Sequence, residues 1–210
     1  MKKLLLLFVL YLNIAYAHGQ HCAVKDVKSG DLVFVSAVRE NLSAAINRVT
    51  QNHQRTSYDH IGIVELIGDS LFVMHASGKK GSFKETLVDF QGQLKPEQQL
   101  SIYRLKPLYQ KAIPEALAQA NSMLGKPYNW SYILNDTSFY CSDFIERAFR
   151  KNKIFALEPM TFINPQNNKL DDFWLSYYQK MNVNVPEGQL GCNPNGLAAS
   201  DKLHFVGLLY

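Results

Sequence analysis

The chain has 210 residues, 47% of them hydrophobic and 19% charged, a balance that excludes a disordered or collagen-like polypeptide and leaves room for a substantial core. Its formal charge of +4 includes Lys2 and Lys3, and the remaining charges are interspersed rather than clustered. Neither nucleic acid nor an anionic membrane surface is therefore implied as a partner.

Residues 1 to 17 open with Met1-Lys2-Lys3, continue through a Leu-rich run and close on Ala15-Tyr16-Ala17. A basic start, an apolar stretch too short to span a bilayer and a small-x-small site predict a secretory signal peptide cleaved after Ala17. No later apolar run approaches membrane length, so residues 18 to 210 are expected to form one exported domain, periplasmic or secreted, with no integral membrane segment. Three cysteines in such a chain leave one over if two pair. With Cys141 as the free one, Cys22 and Cys192 are the expected disulfide, a staple joining the two ends of the domain. His18, His21 and Cys22 cluster at the new N-terminus, where a mobile tail is a better reading than a metal site.

Ser29-Gly30-Asp31 is a turn signal, and Leu32-Val33-Phe34-Val35 suits a buried strand. Leu42, Ala45, Ile46 and Val49 recur at helical spacing. After a polar loop over 51–57, Asp59-His60-Ile61-Gly62-Ile63-Val64 reads as a strand, Gly68-Asp69 as the centre of a type II′ hairpin turn, and Leu71 to Ala76 as the return strand. Ser101 to Leu105 is a further strand, and Glu115 to Leu124 a helix begun near Pro114 and ended by Gly125. Cys141, Phe144, Ile145, Ala148 and Phe149 then mark one face of another helix, with Asn135 to Ser138 offering N-caps. An aromatic segment around Phe173-Trp174, a Gly/Pro/Asn loop from Pro186 to Gly196 and a strand over 203–206 complete the chain. This order of helices and antiparallel strands predicts an α+β domain.

Two stretches carry chemistry. Cys141 begins its apolar stripe, so its sulfur is expected at a helix N-terminus, where unpaired N–H groups and the macrodipole favour a thiolate. The hairpin supplies the second. With Gly68-Asp69 as a two-residue loop, paired residue numbers sum to 137, His75 faces Gly62, and His60 and His75 point to one face as diagonal neighbours. A base beside a second polar group that fixes its tautomer is what a cysteine nucleophile requires. A zinc site is disfavoured, because these histidines and cysteine lack short ligand spacing.

In their order, Gly30-Asp31-Leu32-Val33-Phe34, Asp59-His60-Ile61-Gly62-Ile63-Val64, Gly125-Lys126-Pro127-Tyr128 and Tyr140-Cys141-Ser142-Asp143-Phe144 resemble the YiiX/YebB-like family of circularly permuted, NlpC-type, papain-like cysteine hydrolases, as do Pro186-Glu187-Gly188 and Asn193-Pro194 near the end. The resemblance implies a papain-like α+β fold, an antiparallel sheet or small barrel packed against helices. It implies Cys141 as nucleophile, His60 as base and His75 as its orienter, where close relatives often carry glutamate; Asn129 likewise stands where an aspartate is common. Tyr128, with the Cys141 N–H, is the expected oxyanion and substrate contact, and no cofactor or metal is implied. The expected activity is cleavage of an amide through an acyl-enzyme, on cell-wall (peptidoglycan) peptides given the export. An acyl-lipid esterase or acyltransferase of the lecithin:retinol acyltransferase-like type, to which His75 points, and a non-catalytic binding domain are the alternatives.

Overall fold

The computed structural model describes residues 20–50 and 56–210. The signal-peptide expectation for residues 1 to 17 lies outside the described residues. Eleven strands, six α-helices and three short 3₁₀ helices follow in chain order among the described residues. Seven strands form one sheet: β1 (His21–Cys22), β2 (Leu32–Ser36), β3 (Tyr58–Ile67), β4 (Ser70–Ser77), β5 (Gly81–Thr86), β6 (Leu100–Leu105) and β11 (Leu203–Leu209), in the spatial order β1-β11-β6-β2-β3-β4-β5. All neighbours are antiparallel except β1 beside β11. Four two-residue strands, β7 (Glu158–Pro159), β8 (Ile163–Asn164), β9 (Lys169–Leu170) and β10 (Leu190–Gly191), pair as β7 with β10 and β8 with β9.

Alternation along the central strands separates two cores. Leu32 and Phe34 of β2, Ile61 and Ile63 of β3, and Met74 and Ala76 of β4 face the helices. On that face lie α3 (Ile113–Ser122), through Ala116 and Ala120, and α4 (Cys141–Phe149), through Phe144, Ile145, Ala148 and Phe149. Full burial of each large apolar side chain in α4 contributes about 1.5–3 kcal/mol, so this stripe fixes how the helix sits on the sheet. Val33, Val35, Val64 and Val73 face the other way, toward Leu87 and Phe90 of α2 (Leu87–Gly92). A third cluster joins α1 (Asn41–Thr50) to α5 (Asp172–Lys180) through Ala45, Trp174 and Tyr178. The Arg48 guanidinium clamps it by donating twice to Asp171, at 2.9 Å each. The last helix, α6 (Pro194–Ala198), is short and capped by Asn193.

The sheet-or-barrel alternative resolves as a sheet with two distinct edge strands. The hairpin expectation holds in register: Ile67 faces Ser70 and Ile63 faces Met74, with Gly68 at φ 58° in the turn.

The Cys22–Cys192 bridge is absent, and all three cysteines are free thiols. Cys22 packs among Val27, Val33 and Leu100 on one face of the sheet. Cys192 lies on the helix-bearing side, beside Tyr140 and Ser142. Pairing them would carry one thiol through the sheet, so the two sulfurs cannot make the close approach a disulfide needs. Unreduced, denatured protein should accordingly titrate three thiols in an Ellman assay, whereas a count of one would restore the bridge.

Candidate active site

Cys141 is the first residue of α4, 5% exposed, and the preceding Tyr140 serves as N-cap without a side-chain hydrogen bond. The expected polar cap is used elsewhere, since Asn135 Oδ1 accepts from the N–H groups of Thr137 and Ser138 in its own turn. The N–H groups at the head of α4 are thus open, and those of Cys141 and Ser142 point to the cysteine sulfur.

What receives the sulfur is an edge of β3. Gly30 N–H donates to Val64 O and Val64 N–H to Asp31 O, both at 2.8 Å, so the even-numbered residues of β3 bond toward β2 and its odd-numbered ones toward β4. The β3–β4 ladder ends, however, at Ile63 opposite Met74. Beyond it the main-chain groups of Asp59 and Ile61 face a gap, and Cys141 fills it. Its S–H approaches Asp59 O at 3.9 Å, and Ile61 N–H points back at the sulfur.

His60 and His75 sit across that gap. Their rings meet as the register required, His60 Nε2 lying 2.8 Å from His75 Nδ1. Gly62 makes room for them, since a Cβ there would lie 2.5 Å from Val73 Cγ1 and 3.3 Å from His75 Cβ. Val35 faces His60 across the ladder, and Phe90 flanks both rings, so the pair belongs to the valine face of the sheet, opposite the helix-bearing one. The structure therefore brings the two histidines together and sets Cys141 against the main chain on either side of His60. Among the described residues there is no direct Cys141–His60 hydrogen bond.

Burial dominates the electrostatics. It pushes the Cys141 thiol up to about 12, with the Asp59 carboxylate adding to the shift and the N–H groups of Ser142, Ile61 and Cys141 opposing it. The expected resting thiolate is corrected to a neutral thiol, because desolvation outweighs the helix terminus. Burial likewise lowers both histidines to about 3, His60 further through the neighbouring His75 and His75 through Lys80. Protein surrounds the His60 ring although the residue keeps partial exposure.

Cys141 opens onto a cavity of about 480 Å³, lined by Ile46, Val49, Phe155, Met160, Phe162 and Trp174, with Asp59, Tyr128 and Tyr132 near the sulfur. Asp59 is the bulged residue of the β2–β3 ladder, and its carboxylate accepts from Ser43 Oγ. Tyr128 lines the cavity, its ring edge-on to Trp130 at 4.9 Å. Asn129 is structural: its amide oxygen accepts from Ser131 and its amide group donates to Ile133 O.

Sequence reasoning missed three residues here. Tyr132 adopts φ 57°, and its buried hydroxyl, which faces those of Tyr128 and Tyr177, forms no well-aligned hydrogen bond among the described residues. Asp59 was read only as a strand residue. Glu85 receives the far nitrogen of His75, Nε2 to Oε1 at 3.0 Å. A second register count could have found it, because His75 pairs with Phe83 and Glu85 shares that face.

A cysteine at a helix start, set against a strand that precedes it in the chain and carries a histidine at the contact, defines the circularly permuted papain-like class. The chain belongs to the family described as permuted papain-like amidase enzymes, YaeF/YiiX, C92, which it matches over residues 26–207. It is similar in structure to the metalloprotein yiiX from Escherichia coli O157:H7, with 20% identity and a TM-score of 0.69, over 86% of this chain and 96% of that one. No curated protein matches it.

The histidine shifts set an acid limit on stability. A histidine held neutral in the fold, with its folded value near 3 against an ordinary 6.5, contributes fully above pH 6.5 and progressively less as pH falls toward 3. The Asp143 carboxyl, raised to about 6 by burial, works in the opposite sense. Urea denaturation should show the wild type losing stability between pH 7 and 5, with at most about 2 kcal/mol from His75. His75→Gln should lose less over the same interval; equal losses would mean that His75 is not held neutral.

Proposed function

We propose that the chain is an exported thiol amidase that cleaves an amide in cell-wall peptides through an acyl-enzyme on Cys141. The family supplies the amide class. The observation that carries the reading is the placement of Cys141 Sγ, at an uncapped helix start that faces the cavity and touches the backbone of the histidine strand.

The chemistry follows from two neutral partners. Sγ attacks the carbonyl carbon while its proton passes to His60, so charge separates only as the bond forms. In the resting structure His60 is held against His75 on the valine face of the sheet, so the transfer requires the His60 ring to reach the thiol past the open edge of β3 when substrate binds. The developing oxyanion is met by the Cys141 N–H and by the hydroxyls of Tyr128 and Tyr132, the latter having a hydrogen to give. His60 returns the proton to the leaving amine, and water then releases the acyl group.

The similar E. coli protein is described as a metalloprotein. Among the described residues of this chain, no three His, Cys, Asp or Glu side chains converge as a metal site needs, and His60, His75 and Glu85 bond to one another in a line. These residues do not fit a bound metal, and the mechanism has no metal step.

The apolar cavity lining favours one second reading, an acyl-lipid amide or ester whose chain occupies the space beside Met160, Phe162 and Trp174. A product screen on peptidoglycan fragments and on acyl lipids, with wild type and Cys141→Ala in parallel, separates the two. Turnover should fall by roughly 10⁴-fold or more in Cys141→Ala, with the fold retained by circular dichroism. Release of fatty acid alone would select the second reading, and activity that survives in Cys141→Ala would sink both. Equal ligand binding by the two proteins without any product would leave a binding domain.

A further inference from the structure

We infer that Glu85 is a positioning residue that, acting through His75, determines which ring nitrogen of His60 is free to take the thiol proton. The inference rests on the amidase reading for its consequence, while its geometry stands on resting contacts alone.

Glu85 Oε1 lies 3.0 Å from His75 Nε2, the two side chains being 8% and 4% exposed. A carboxylate offers only lone pairs, so His75 Nε2 must carry the hydrogen, and in a neutral ring Nδ1 is then bare. His60 Nε2, 2.8 Å from that bare nitrogen, must donate to it. His60 Nδ1 is thereby left without a hydrogen. In any histidine Nδ1 is the ring nitrogen closer to the residue's own main chain, and Cys141 Sγ rests against that main chain, between Asp59 O and Ile61 N–H. Among the described residues no hydrogen bond occupies His60 Nδ1. The chain of bonds thus leaves a lone pair on His60 Nδ1, the nitrogen that takes the thiol proton on the amidase reading.

The surroundings of Glu85 hold it as an acceptor. Gln93 Nε2 donates to Oε1 at 2.8 Å, and the Lys80 ammonium stands 3.6 Å from Oε2. Gln93 also donates to Asp89 O at 3.0 Å, which fixes its amide with the nitrogen toward Glu85. Phe83 and Phe90 enclose the His75 ring at 4.4 and 5.0 Å. The negative charge of Glu85 also reaches His60, where it raises basicity against the effect of burial. When Sγ attacks, the S–H bond breaks and its proton joins His60 Nδ1. The resulting imidazolium keeps its Nε2–H bond to His75, with Glu85 beyond it. When the C–N bond breaks, the proton leaves Nδ1 for the amine nitrogen.

Glu85→Gln is the discriminating change, because it keeps the shape and adds a hydrogen. The new amide can donate to His75 Nε2, moving the His75 hydrogen to Nδ1 and the His60 hydrogen to Nδ1 in turn, which blocks the base. Nitrogen-15 spectra of the histidine rings in the resting full chain at neutral pH should show both rings as Nε2–H in wild type and His60 as Nδ1–H in Glu85→Gln. On an amide that the wild type cleaves, kcat should fall about 10²-fold or more with KM little changed. A wild-type His60 that carries its hydrogen on Nδ1, or a Glu85→Gln protein whose rings keep the wild-type tautomers, overturns the inference. The wild-type spectrum decides the matter even if Glu85→Gln does not fold. Tautomers as stated in a protein that cleaves no amide would leave Glu85 in its role and remove the amidase reading instead.

Discussion

The site depends on the end of one ladder. β3 and β4 pair from Ile67 and Ser70 to Ile63 and Met74 and then part, β3 staying with β2 and β4 with β5. The main-chain groups of Asp59 and Ile61 left on that edge are obligatory hydrogen-bonding groups. A helix start meets them, with N–H groups of its own still unpaired and a thiol able to accept from one strand group and approach the other. The apolar stripe of α4 sets the helix at the height where this contact is made. The proposed nucleophile, base and orienter are therefore positioned by a helix start and two paired strands, and none of them is on a loop.

Cys141 and His60, the proposed reacting pair, both rest neutral. The same enclosure that raises the thiol to about 12 lowers His60 to about 3, so a resting ion pair would have to overcome both shifts. On the proposed amidase reading the pair instead operates by general-base transfer during attack. On that reading the groups that lower the cost of the transient charges are the open N–H groups of α4, the tyrosine hydroxyls at the cavity, and the line of hydrogen bonds from His60 to Glu85.

Much of this was legible in the sequence, for identifiable reasons. The side-chain period of a strand is two, so a two-residue loop at Gly68-Asp69 alone fixed that His60 and His75 share a face. The 3.6-residue stripe from Cys141 to Phe149 placed the cysteine at a helix start. Properties that arise from enclosure were not legible. The helix terminus was visible at Cys141, whereas the desolvation that outweighs it is created by residues distant in sequence. The supposed Cys22–Cys192 staple failed because proximity to the chain ends says nothing about the face of a sheet. Glu85 escaped because Gly81-Ser82-Phe83-Lys84-Glu85-Thr86 lacks an apolar alternation strong enough to announce β5.

The neutral resting pair is tested most directly by the pH dependence of Cys141 alkylation with iodoacetamide, followed on the Cys141 peptide by mass spectrometry. A thiol buried against β3 reacts slowly at neutral pH, and its rate climbs with pH without a plateau below about pH 9, the range of an ordinary thiol. A rate already level in the neutral to mildly acidic range would reveal a preformed thiolate–imidazolium pair and contradict the neutral resting state.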